Sequence, residues 1–127
     1  MKDFIKKYVR NLLLENEEKI DTSKIRVKKQ LVNDLLVFSP YYGNEKMGAF
    51  RLEPFGDNYK IFAALLYDRF KGKGLGKGMY KYIIKSVKKE GKTLYSDLSQ
   101  SPDAKRVWDS LVRDGFAEFD GTQYRSI

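Results

Sequence analysis

Apolar residues recur along this chain with two different periods, and the changes of period divide it into elements. Ile5, Val9, Leu12 and Leu13 share one stripe at helical spacing, which predicts a helix over roughly Lys2 to Lys19. Asp21-Thr22-Ser23 breaks that pattern. Ile25, Val27 and Leu31-Val32 then lead to an Asn33-Asp34 turn signal and a second apolar run, Leu35 to Phe38. Gly43-Asn44 turns the chain into Met47 to Glu53, and Pro54-Phe55-Gly56-Asp57 turns it into the longest apolar run, Tyr59 to Tyr67. Short turns between extended segments predict an antiparallel meander of four strands.

Beyond Tyr67 the spacing becomes three and four. Leu75, Met79, Tyr82, Ile83 and Val87 predict an amphipathic helix that lays this face on the sheet and ends at Glu90-Gly91. Lys92 to Ser96 reads as a strand, and the intervening helix lets it lie parallel to Tyr59 to Tyr67 through a right-handed crossover. Ser101-Pro102 supplies an N-cap and a first-turn proline for a further helix reaching Arg113, closed by Gly115-Phe116. Ala117 to Phe119 and Gln123 to Ser126 flank Asp120-Gly121, a hairpin signal. The expected class is α/β in the α+β sense, a central mixed, mostly antiparallel sheet flanked by helices. With 127 residues and 42% apolar content, one core and a single domain over 1–127 are expected.

The join between the longest strand and the next helix is unlike an ordinary connection. Behind Lys71, the glycines Gly72, Gly74, Gly76 and Gly78 alternate with Lys73, Leu75 and Lys77. Bare backbone lets a ligand approach closely, and the first amides of a helix have donors to offer. The helix dipole and the three lysines add positive charge, so the segment predicts a seat for a pyrophosphate. A flexible surface hairpin is the plainer reading, and the short join between a well-formed strand and a well-formed helix argues against it. Two commoner phosphate loops are excluded. Counting from Gly72 puts Lys77 where the second glycine of a P-loop belongs, and the dinucleotide fingerprint would need its third glycine at Lys77 or Met79.

Composition narrows the chemistry. The chain has no cysteine and no histidine, which removes disulfides, a thiolate nucleophile and the usual metal ligands. A general base must then be a carboxylate, a tyrosine, a lysine, the chain terminus or a water relay. No apolar run approaches the length of a membrane span, and Met1-Lys2-Asp3 does not lead into a cleavable signal peptide, so no membrane partner and a cytoplasmic location are expected. The net charge of +8, from 25 basic and 17 acidic residues, attracts polyanions. Lysines at the glycine turn suit the phosphates of a coenzyme, whereas Lys81, Lys85, Lys88 and Lys89 along the helix form either a solvated face or a surface for nucleic acid or another anion.

The glycine turn resembles motif A of the GNAT superfamily of N-acetyltransferases: Arg or Gln, two residues, Gly, one residue, then Gly or Ala. Lys71-x-x-Gly74-x-Gly76 fits it with lysine in first place. The order of elements is also similar to the GNAT-like fold, most specifically between Tyr59 and Phe116. The resemblance implies acetyl-CoA as co-substrate and a splay beside the strand entering the turn, where the backbone of Ala64, Leu65 and Leu66 meets the pantetheine arm. It further implies that amides of Gly72, Lys73, Gly74, Leu75, Gly76 and Lys77 hold the pyrophosphate, and that an amide near Leu66 polarises the thioester carbonyl. The small side chains of Ala63 and Ala64 either keep this cleft open or simply pack.

A second family landmark, Asn-x-x-Ala at the start of a helix, is similar to Ser101-Pro102-Asp103-Ala104, which places Ser101 beside the coenzyme; Gly115-Phe116 answers to the landmark's end. The interval between the two is about one turn longer than in the family. Trp108 by one count and Leu111 by the other stand where the family has a tyrosine, and neither protonates a thiolate. The expected replacements are Asp97 and Tyr95, with Ser99 beside them, at the end of the fifth strand. Asp97 either accepts a proton from an attacking amine or caps the turn before Ser99 to Ser101. The function implied is N-acetyltransfer from acetyl-CoA, by direct attack, to an amine on a small molecule, a protein or RNA. The alternative is a GNAT-shaped module without chemistry, whose basic surface meets nucleic acid or a protein partner.

Overall fold

The computed structural model describes residues 20–127, so the helix expected over Lys2 to Lys19 lies outside the described residues. A short 3-10 turn, Thr22–Lys24, capped by the Asp21 side chain, leads into β1 (Ile25–Val32) and β2 (Leu35–Tyr42). A two-residue β3 (Glu45–Lys46) precedes β4 (Gly48–Phe55) and β5 (Asn58–Leu66). With β6 (Leu94–Tyr95), β7 (Ala117–Phe119) and β8 (Tyr124–Ser126), the sheet runs β1-β2-β4-β5-β6-β8-β7, with β3 on β2, and it is antiparallel except between β5 and β6. The expected meander of four long strands is therefore present. Asn33 and Asp34 take positive φ of 49° and 66°, the paired left-handed conformation whose twist matches a hairpin.

Helix α1 (Leu75–Lys89) follows the glycine turn, β6 (Leu94–Tyr95) follows α1, and α2 (Pro102–Arg113) leads to β7 (Ala117–Phe119) and β8 (Tyr124–Ser126). Ser101 Oγ accepts the Ala104 amide at 3.2 Å, the N-cap anticipated for α2. One cluster joins the sheet residues Phe38, Phe50, Leu52, Ile61 and Leu94 to Ile83 and Val87 of α1 and to Trp108 and Leu111 of α2. A smaller one joins Met47, Phe70 and Leu75 beneath the turn.

Four details differ from the sequence expectation. Tyr82, expected on the buried face of α1, is 47% exposed, while Tyr80 and Ile84 are buried. The docked stripe thus lies on the Tyr80 side, toward α2, and Tyr82 only meets Phe38 edge-on. The strand expected over Lys92 to Ser96 shrinks to two residues, because Ser96 turns to β8. Pro54-Phe55 belongs to β4 instead of the turn. The last hairpin turns on Gly121-Thr122, one residue late: Asp120 N–H donates to Gln123 C=O, and Asp120 Oδ1 accepts from Thr122 and Gln123.

Candidate active site

Strand β5 has two unlike sides. Toward β4 it is paired from Gly48 opposite Leu66 to Phe55 opposite Asn58, with a bulge beside Arg51 and Leu52. Toward β6 it is paired only where Tyr59 faces Leu94 and Lys60 faces Tyr95. Ser96 explains the divergence. Its amide donates to Tyr124 C=O at 2.9 Å and its Oγ accepts the Tyr124 amide at 2.9 Å, so the chain leaving β6 is committed to β8.

The bulge sets which backbone groups meet the gap. Tyr59 N–H donates to Thr93 C=O, away from β4, whereas Tyr67 N–H donates to Met47 C=O, on the β4 side. Between them Phe62 is the extra residue, since Arg51 faces Ala63 and Leu52 faces Ile61. Strand alternation counted back from Tyr67 points the N–H and C=O of Leu65 at β4 and those of Ala64 and Leu66 into the gap.

The glycine turn closes one end of this gap. Gly72 and Gly74 have φ of 72° and 75°, a conformation that side chains resist, and a Cβ on either would meet nothing within 4 Å. Gly74 is the N-cap of α1 with no side-chain cap bond, and the first helical bond is Gly78 N–H to Gly74 C=O at 3.2 Å. The N–H groups of Leu75, Gly76 and Lys77 are left without an intrahelical acceptor, at the positive end of the helix dipole. Lys71 pairs with Asp68 at 3.0 Å, and Lys77 pairs with Asp114 at 2.5 Å. The Lys77 ammonium is the main reason that the Asp114 carboxyl is held below its ordinary range.

A cleft of about 460 Å³ joins these parts. Ala64, Leu65, Leu66, Lys71, Gly72, Gly74, Gly76, Lys77 and Ser101, all expected at the coenzyme, line it. Lys73 and Leu75 do not, and Leu75 is buried against Met47 and Phe70. Phe50, Tyr80, Asp103, Arg106 and Val107 also line the cleft and went unread in the sequence. The 103, 106, 107 spacing on a helix opened by Ser101 was the available signal. Tyr80 carried only a neutral one, its place one turn after Gly76.

A second cleft, of about 310 Å³, shares Ala64, Leu65, Tyr80, Ser101 and Ala104 with the first and reaches Ile61, Phe62, Asp97, Ser99 and Trp108. Asp97 thus lines the second cleft, 3.5 Å from Lys60 Nζ. Lys60 also meets Glu53 at 3.0 Å, and that hydrogen bond is the main cause of its raised pKa. Tyr95 lines neither cleft; its ring tilts against Phe55 at 5.1 Å. Trp108 is 1% exposed, edge-on to Tyr80 and stacked on Tyr124. Tyr124 Oη donates to Asp109, the first reason, ahead of burial, that its phenol is pushed up to about 12.

No protein-family model matches the sequence, and no curated protein matches it. Solved structures do match in shape. An IAA acetyltransferase from Bacillus cereus superposes with a TM-score of 0.61 at 11% identity, covering 80% of this chain and 96% of that one. A GNAT family acetyltransferase from Elizabethkingia anophelis with acetyl-CoA bound gives 0.60 at 12% identity, covering 81% and 96%. A Bacillus subtilis acetyltransferase in complex with CoA gives 0.58 at 13% identity, covering 80% and 95%. The chain has the GNAT acetyltransferase fold. Among the described residues, no helix is long and apolar enough to cross a membrane.

Proposed function

We propose that this chain transfers the acetyl group of acetyl-CoA directly to an amine. One observation carries the reading: an unpaired stretch of β5 and the uncapped first amides of α1 open into the same cleft. A diphosphate suits the bare, cationic turn, and the amide-bearing pantetheine arm suits a strand edge whose N–H and C=O groups lack a neighbour. That similarly folded acetyltransferases hold CoA or acetyl-CoA supports this assignment of the cleft.

The acceptor, an amine of a small molecule, a protein or RNA, enters through the second cleft. Its nitrogen attacks the thioester carbon, the C–N bond forms, and the C–S bond breaks with its electron pair leaving on sulfur. Asp97 is the carboxylate beside this route that takes the proton released by nitrogen. The Leu66 amide, aimed into the gap, steadies the oxyanion that forms on the carbonyl oxygen. Direct attack needs no covalent enzyme intermediate, which suits a chain without cysteine.

Calorimetric titration with CoA and acetyl-CoA tests the reading. Saturable heat is expected, and no binding at roughly millimolar ligand overturns it. Gly76→Leu is the matching control. Gly76 has no strained φ, and its added Cβ meets only Leu66 Cδ1 at 3.9 Å, so the variant should fold, fill the diphosphate seat and lose the heat. Affinity that survives this change removes the turn from the binding site.

A further inference from the structure

The two clefts differ in charge. Lys71, Lys77 and Arg106 outnumber Asp103 around the first, which suits an anionic coenzyme. Asp97 is the single charged side chain lining the second among the described residues. The ammonium that meets it is already committed, since Lys60 lies 3.0 Å from Glu53 and 3.5 Å from Asp97. In a chain of net charge +8, the described lining of the second cleft thus offers no cation to a carboxylate or a phosphate.

Most of this lining is apolar. Ile61, Ala63, Leu65 and Trp108 accompany Phe62, the extra residue of the β5 bulge, which has no partner on β4. Phe62 is 37% and Leu65 52% exposed, and large apolar side chains left open to a concave surface mark a seat for an apolar body. Polar groups there are largely spent: Ser101 Oγ caps α2, and the Gln100 amide donates to Asp97 C=O. The volume of about 310 Å³ is roughly twice the ~150 Å³ that a benzene fills, enough for one ring on a short alkyl chain.

We propose that the acceptor is a small monoamine on an apolar body, an alkyl or arylalkyl amine with no anionic group, an inference that rests on the acetyl-transfer reading above. Such an amine is a cation at neutral pH, so the Asp97 carboxylate draws its nitrogen while Phe62 and Leu65 take its hydrocarbon. It gives one proton to solvent on entry; the nitrogen then attacks as a neutral amine and passes a second proton to Asp97. A carboxylate or phosphate on the same molecule would enter the cleft unpaired, and a second ammonium would find no second carboxylate.

The test follows acetyl-CoA turnover by thiol release with a chromogenic disulfide, which a chain without cysteine leaves unreacted. Phenylethylamine and phenylalanine differ only in a carboxylate, and kcat/KM should be about a hundredfold higher for the first. Hexylamine should likewise exceed hexanediamine, a lysine peptide and an amine-tailed RNA. Phe62→Ser should raise KM for phenylethylamine about tenfold and leave calorimetric CoA affinity unchanged, because Phe62 lines only the second cleft. Equal or higher kcat/KM for phenylalanine, the diamine, the peptide or the RNA overturns the acceptor assignment. So does CoA binding without turnover of either monoamine, and an unchanged KM in folded Phe62→Ser refutes the apolar seat. A wild type that takes no CoA overturns the acetyl-transfer reading itself. Should Phe62→Ser not fold, the wild-type comparison of amines decides alone.

Discussion

The two sides of β5 make opposite use of the same backbone. Against β4 the strand is paired along its length, and Gly48 lets the two main chains approach until a Cβ would overlap the Leu65 carbonyl. Against β6 it is paired for two residues and then abandoned. Strand edges ordinarily attract another strand, and here the vacant edge is sheltered in a cleft between the glycine turn and α2. A binding site can thus be made by withholding pairing from one half of a sheet while the other half holds the strand rigid.

The largest expected effect breaks the paired side. Gly48→Ala places its Cβ on the Leu65 carbonyl oxygen and 2.9 Å from Leu66 Cα, neither of which can move without parting β4 from β5. A loss of about 3 kcal/mol in urea unfolding is expected, with CoA affinity falling as the cleft wall shifts. A folded variant of unchanged stability would show that the close approach is not required. Next comes the divergence itself. Ser96→Ala removes the acceptor of the Tyr124 amide in a fully buried place, and a loss of about 2 kcal/mol in the same assay is expected.

Asp114→Asn probes the cleft most gently, through its lining residue Lys77. It releases Lys77 from its exposed ion pair, so thermal stability should fall only slightly and CoA affinity should rise a few-fold as the ammonium becomes available to phosphate. The sign with pH is fixed by the depressed Asp114 carboxyl. The wild-type advantage in stability is complete above the ordinary carboxylate value and is lost as pH falls through the lowered one. Thermal melts of both proteins across that range check it.

Local features were legible in the sequence and convergent ones were not. Asn33-Asp34, Gly43-Asn44 and Gly56-Asp57 announce turns by their own chemistry, and the strands between them followed. The glycine turn was likewise readable, because its bare backbone and lysines lie within a few consecutive residues. Which flank of α1 would be buried was not, since Tyr80 or Tyr82 faces inward according to where α2 docks, and Trp108 decides that from far along the chain. The early end of β6 was equally hidden. Ser96 looks like any strand-ending serine until Tyr124 is brought beside it.

The row of rings from Phe50 through Tyr80 and Trp108 to Tyr124 runs beneath the junction of the clefts. Trp108 is the chain's single tryptophan, so all indole emission from the protein originates under that junction. The molecule therefore carries a built-in fluorescent gauge, whose colour and intensity answer to events at the meeting point with no label attached.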